Sequence, residues 1–359
     1  MERIFESRER RFAFALQNPN GAAGVINARP AGQQWTSGVP NSGSFFALRC
    51  DPIEFDRGLK SYENNASFGT KEKTFANVVI NASGSMGKGS IKEPFSTNYH
   101  DIFIYSHMQA VVEGAATPFT KTLTVTTTNP DFATGKGAYI TLLDLYPISG
   151  TGWKMVNGVC NSMKLSWKRG EMLQGEYGFM FKGAGTTNET FTVGTAPSNT
   201  KIIEPAGAGA AFGMKHFDDI DSATLTLGGA ALAITLGGFD IDSTCDVTPI
   251  GPDGAGSFSN WAVSNYAGKL TLTLMKDSVA ESLISRSLVG GQIRFQTYVG
   301  SLEATGQGHL GIDCWAKIKE IKVESEGATY ITITADILAP DPNTRSLTIA
   351  TANSVDRNY

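Results

Sequence analysis

Apolar and polar residues alternate with a period of two over much of the chain. Leu270, Leu272 and Leu274 alternate with Thr271 and Thr273, and Ile331, Ile333, Ala335 and Ile337 alternate with Thr332, Thr334 and Asp336. Strict alternation sends one set of side chains to a core and the other set to the opposite face, so both segments predict strands, at 266–276 and 329–338. Leu123, Val125 and Thr127 repeat the pattern, as do Met163, Leu165 and Trp167. Further strands are predicted at 44–55, 74–82, 121–128, 138–145, 159–168 and 172–182, then at 221–227, 231–240, 291–299, 308–315 and 316–324. Two segments change to a helical period. One spans 95–112 after Pro94, with Ser96 or Thr97 as cap and Tyr99, Ile102, Phe103 and Met108 on its apolar side. The other spans 278–290, where Ser278 and Glu281 have capping-box spacing and Val279, Leu283, Ile284 and Leu288 mark one face.

Residues 1–43 read as an N-terminal arm interrupted by Phe5, Phe12, Phe14 and Trp35, aromatics that serve either as anchors on a neighbouring copy or as packing on their own domain. Residues 184–219 read as a linker rich in Gly, Ala and Pro, and 341–359 as a C-terminal tail. Between them, 44–183 and 220–340 follow one plan: strand, long irregular loop, strand, helix, four strands. Phe55-Asp56 and Phe239-Asp240 precede the two loops, at 56–73 and 242–264. The expected fold is mainly β: two similar antiparallel β-sandwich or barrel-like domains, each flanked by one α-helix. Internal duplication has a consequence for assembly. Two similar domains in one chain fill neighbouring positions of a ring, giving threefold symmetry by chain and rough sixfold symmetry by domain. Sheets then run from subunit to subunit and satisfy their edge strands against neighbours.

The composition fits this picture. Gly contributes 40 residues and Phe 20, while charged residues reach only 18%, against about 25% in ordinary domains. The net charge of −4 comes with one basic cluster, at Arg8, Arg10 and Arg11, so the chain lacks the concentrated basic face of a protein that grips nucleic acid. Cys50, Cys160, Cys245 and Cys314 are far apart and show no C-x-x-C spacing. They read as unpaired core or surface thiols, with a disulfide or other special role as the alternative. No apolar run reaches the length of a signal peptide or a membrane span.

Candidate chemistry is sparse. Gly84-Ser85-Met86-Gly87-Lys88-Gly89-Ser90 resembles a phosphate loop, but Gly89 stands where the Mg²⁺-binding hydroxyl belongs. His100 and His107 lie seven apart on the first helix, too few to complete a zinc site. His216, Asp218, Asp219 and Asp221, and separately Asp240, Asp242 and Asp246, cluster without EF-hand spacing. Trp153, Trp167, Trp261 and Trp315 fit sheet packing or subunit contact better than a carbohydrate platform. No G-x-S-x-G occurs, and no nucleophile, base and orienter assemble. The expectation is a structural protein, not an enzyme, with no cofactor and no metal.

The order of elements, together with Phe75 to Gly84 leading into the first helix, Gly158 to Trp167 followed by Gly170 to Lys182, and their counterparts Tyr266 to Val289 and His309 to Pro340, resembles the tail tube proteins of long-tailed bacteriophages. It is similar to the larger members, which carry two tube domains per chain. The resemblance implies helix-flanked β-sandwiches stacking as trimeric rings around an acidic channel, through which double-stranded DNA and a tape-measure protein pass, in a virion tail made in the bacterial cytoplasm. It also implies a loop bridging stacked rings, matched in position by 56–73 and 242–264. Candidate inter-ring or subunit contacts are therefore Phe5, Phe12, Phe14, Trp35, Tyr62, Phe68, Phe258 and Trp261. Other virion rings (baseplate or tail terminator), an injection-system inner tube and a glycan-binding β-sandwich are the alternative readings.

Overall fold

The computed structural model describes residues 11–19, 35–40, 45–48, 60–63, 78–81, 86–96, 100–114, 119–126, 138–146, 151–182, 186–190, 192–193, 201–203, 220–252, 258–275, 277–278, 280, 290–299, 309–324 and 330–353. The first half contains β1 (Arg11–Pro19), β2 (Trp35–Pro40), β3 (Phe45–Leu48), β4 (Lys60–Glu63), β5 (Val78–Asn81), β6 (Met86–Pro94), α1 (His100–Met108), β7 (Gln109–Glu113), β8 (Phe119–Val125), β9 (Ile140–Tyr146), β10 (Thr151–Lys168) and β11 (Gln174–Lys182). Three short strands follow: β12 (Thr186–Thr190), β13 (Thr192–Val193) and β14 (Lys201–Ile203). The second half contains β15 (Ser222–Leu227), β16 (Ala230–Ala233), β17 (Leu236–Pro252), β18 (Phe258–Met275), β19 (Gln292–Val299), β20 (His309–Glu324), β21 (Tyr330–Ile337) and β22 (Leu347–Asn353).

Alternation works as the sequence predicts. In β21, Ile331, Ile333, Ala335 and Ile337 are buried while the residues between them are half-exposed. The strands do not, however, segregate into two domains. β10 of the first half pairs antiparallel with β17 of the second, from Ser162 opposite Thr244 to Lys168 opposite Gly238. β8 pairs with β22 near the other end of the chain. One large sheet results, in place of two helix-flanked units. Among the described residues no series of pairings returns to its starting strand, and the sheet they form is not closed into a barrel.

The sheet folds over itself at a long strand. The first half of β20 lies between β19 and β22, while its second half pairs with β21. A register shift between Ile318 and Glu320 marks the bend, as bulges do where a strand changes layer. One layer runs β16–β15–β19–β20–β22–β8–β7. The other runs β20–β21–β18–β17–β10–β11–β6. One apolar cluster fills the space between them, and the Phe239 and Phe295 rings meet across it at 5.9 Å. The start of β10 continues into a further set of strands through β9, β1 and β3.

Several expected boundaries change. The helix predicted at 95–112 is shorter, because Gln109 adopts a φ of 64° and turns the chain into β7. No second helix of comparable length exists among the described residues, and most of the predicted one, 281–289, lies outside them. Of the loop predicted at 242–264, residues 242–252 and 258–264 belong instead to β17 and β18, which pair antiparallel with a register shift between Thr244 and Asp246, while 253–257 lie outside the described residues. Alternation there is masked by that shift and by Pro249 and Pro252. The tail expected after Pro340 supplies β22, which lies between β20 and β8. Short strands also occur within the expected arm and linker.

Candidate functional site

The layer from β6 to β20 has a covered face and an uncovered one. Ile91, Tyr177, Leu165, Ile241, Leu270, Ala335 and Ile318 point into the core. On the other face one row of side chains crosses all seven strands in register: Lys92, Glu176, Lys164, Asp242, Lys269, Asp336 and Lys317. Each cation stands opposite an anion at every step. The next row is polar too, with Gln174, Ser166, Asp240, Thr271, Thr334 and Glu320. Lys164 Nζ binds Asp240 at 2.9 Å, and Lys319 Nζ binds Asp336 at 2.8 Å. The hydrogen bond to Asp240 raises the Lys164 ammonium above its ordinary pKa, helped by the charges of Asp242 and Glu176. Such exposed pairs each contribute about 0.2–1 kcal/mol, and salt screens them. Their larger effect is to leave the face without a block of one sign.

Behind this face lies a buried polar cluster built on α1, every residue of which is buried. Asp101 and Lys121 form an ion pair at 3.3 Å, both essentially inaccessible. His100 stands 3.1 Å from the Tyr177 hydroxyl and 3.3 Å from Glu93 Oε1. His107 Nδ1 is 3.2 Å from the Cys160 carbonyl, and its Nε2 is 2.8 Å from Ser243 Oγ. A carbonyl only accepts, so Nδ1 carries the proton and Nε2 accepts from the Ser243 hydroxyl. Burial lowers the His107 pKa to about 4, against a partial rise from the Cys160 carbonyl, so the ring is neutral at physiological pH. Tyr266 donates its hydroxyl proton to the His107 carbonyl at 2.9 Å. Cys160 and Cys245 lie beside this ring, and burial raises both thiols, Cys245 to about 12.

A serine beside a histidine can suggest a nucleophile and its base. Here His107 is wholly buried and Ser243 almost so. The ring is oriented by a backbone carbonyl, which does not stabilise an imidazolium as a carboxylate would. The arrangement ties α1 across β10, β17 and β18. Among the described residues, no group of three His, Cys, Asp or Glu side chains is placed to hold a metal ion. No helix among them is long and apolar enough to cross a membrane.

The residues singled out from sequence are dispersed. Phe12 and Phe14 are buried in β1, and Phe14 lies 4.7 Å from the Phe103 ring of α1. They pack on their own fold, the second of the two roles open to them. Trp261 is 1% exposed, and its indole donates to the Asn157 carbonyl at 2.8 Å. Trp35, Tyr62 and Phe258 lie on β2, β4 and β18. Phe5 and Phe68 fall outside the described residues. His100 and His107 contact separate partners and form no shared site. Lys88 belongs to strand β6, not to a phosphate loop. Of the acidic clusters, Asp240, Asp242 and Asp246 belong to β17, whereas His216, Asp218 and Asp219 fall outside the described residues. Sequence reasoning did not reach the partners Lys121, Ser243 and Tyr266. The Ser243–His107 bond joins positions 136 residues apart, and no local spacing signals it.

No protein-family model matches the chain, and no curated protein matches it.

Proposed function

We propose that the chain is a self-assembling structural subunit of a phage tail tube, stacking as rings around a channel that conducts DNA. The observation that carries this reading is the seven-strand layer, which crosses from the first half to the second without a break. Among the described residues, β6 and the last residues of β20 are each hydrogen-bonded on one side only. A sheet that spans both halves and stops at two such edges is suited to continue into further copies.

The second layer and α1 cover one face of that sheet. The alternating face is left to line the channel. The lysines of its in-register row each stand opposite a carboxylate, so along that row a passing polyanion meets neither a basic strip that holds it nor an acidic block that repels it. Balanced charge, in place of the acidic lining implied by the family resemblance, is the electrostatic part of the proposal. Double-stranded DNA and a tape-measure protein are the proposed transient occupants, trimeric rings the proposed assembly, and the virion tail, built in the bacterial cytoplasm, the proposed location.

Electron microscopy of the concentrated protein, viewed end-on, tests the reading. Rings or tubes with threefold order and a central channel are expected. A chain that stays monomeric at high concentration, even when seeded with preformed tubes, overturns it.

A further inference from the structure

The two edges of the seven-strand layer carry complementary charges. On its uncovered face β6 presents Lys88, Ser90 and Lys92. The last part of β20 presents Glu320 and Lys322. All pairings in the layer are antiparallel, so its first and seventh strands run in the same direction. A rotation that carries one copy onto the next therefore brings β6 beside a neighbour's β20 in parallel.

We infer that β6 of one copy pairs in parallel with the last part of β20 of the next, with Lys88 level with Glu320, Ser90 with Lys322 and Ile91 with Val323. This inference rests on the assembly proposed above and specifies its contact. Two comparisons of register select it. A shift by one residue turns the apolar face of one strand outward. A shift by two in either direction sets Lys322 against Lys88 or Lys92, whereas the inferred register sets Lys88 opposite Glu320 and Lys322 opposite the uncharged Ser90. β6 on β6 centred at Ser90 sets Lys88 against Lys92, and β20 on β20 centred at Lys322 sets lysine against lysine; β20 on β20 centred at Ile321 instead sets Glu320 opposite Lys322, a competing contact in which Lys88 has no part. Like charges directly opposite destabilise a sheet pair.

The covered face agrees independently. In the same register Val323 stands level with Ile91. Val323 is 49% exposed in the isolated chain, although it lies on the core side of β20, whereas Ile91 is fully buried. A neighbour's β6 extends the apolar layer over Val323, removing an exposed apolar residue from a strand edge.

The test compares the full-length wild type with Lys88→Glu, Glu320→Lys and the double exchange, scored by sedimentation and microscopy. Each single reversal places like charges opposite and raises the concentration needed for assembly about tenfold. The exchange restores assembly to near the wild-type level. Single variants that assemble like wild type, or an exchange that rescues nothing, overturn the pairing while leaving the tube reading in place. A wild type that never assembles overturns both. As a second readout, a Ser90→Cys copy mixed with a Lys322→Cys copy and treated with diamide gives a crosslinked dimer, the two thiols being oxidised to a disulfide and diamide reduced to its hydrazine. Absence of that dimer from assembled material overturns the register.

Discussion

At the scale of single residues, the interior depends on polar groups that have left water together. Asp101 and Lys121 are buried at 3.3 Å from each other, and the Ile102 amide also donates to Asp101 at 3.0 Å. Removing one member strands the other charge in the core. Asp101→Leu or Lys121→Leu alone is expected to cost about 3–5 kcal/mol, and the double replacement less than either, because the second charge no longer lacks its partner. Urea denaturation of the three variants measures this. A double variant as damaged as the sum of the singles would refute the coupling. His107 makes a separate, pH-dependent contribution. Its pKa falls from 6.5 to about 4 on folding, so the unfolded chain binds more protons between these values. The stability from keeping the ring neutral is complete above pH 6.5 and is lost as pH falls toward 4, amounting to roughly 3 kcal/mol. Carboxylates add their own slopes, so the informative quantity is a difference. His107→Gln is less stable than wild type at pH 7, and that gap narrows by about 3 kcal/mol at pH 4 in urea titrations. Parallel profiles would assign the acid sensitivity elsewhere.

At the scale of elements, β10 is the strand on which most depends, because it serves two regions of the sheet. Its start pairs with β9 and β12, and its end pairs with β11 and β17. The change occurs around Asn157, which has a φ of 53°, and Gly158, where the register shifts. A Cβ at Gly158 would collide with the Phe181 ring and come within 2.8 Å of the Ile140 carbonyl. Gly158→Ala is therefore expected to lower stability by about 1–3 kcal/mol, read as a shift in thermal midpoint. Asn157→Gly, which relieves a positive φ, should be neutral or mildly stabilising. The sequence showed the end of β10 through Met163, Leu165 and Trp167, but its start looked like loop, because glycines and a bulge interrupt the alternation. The β17–β18 hairpin was obscured in the same way. Periodicity reports which face of a strand is buried, and bulges reset it. It carries nothing about which strand lies alongside, so α1 was legible from its own residues while its tie to Ser243 was not.

At the scale of the whole molecule, the order of strands in the chain suggested two units, while the pairings make one. The repeated plan was read from element order, which is local. Whether two repeats stand apart or merge is decided by pairings such as β10–β17 and β8–β22, which no segment reveals by itself. Merging has a measurable thermodynamic consequence. Two independent domains unfold in two steps, and a mutation in one moves only its own step. Here Phe239 of the second half lies 6.3 Å from the Trp167 ring of the first and 5.9 Å from Phe295 across the core, so loosening it loosens both halves. Scanning calorimetry of the unassembled chain is expected to show one transition with calorimetric and van't Hoff enthalpies in agreement. Phe239→Ala should move that transition as a whole, at a cost of about 3–5 kcal/mol, without splitting it. Two resolved transitions, with only the later one displaced by Phe239→Ala, would show that the seam is weaker than its hydrogen bonds suggest. A unitary chain also bears on assembly: when β6 and β20 are the edges of one cooperative body, strain applied at either contact is shared by both halves, and a ring built from such bodies resists opening within the subunit as well as between subunits.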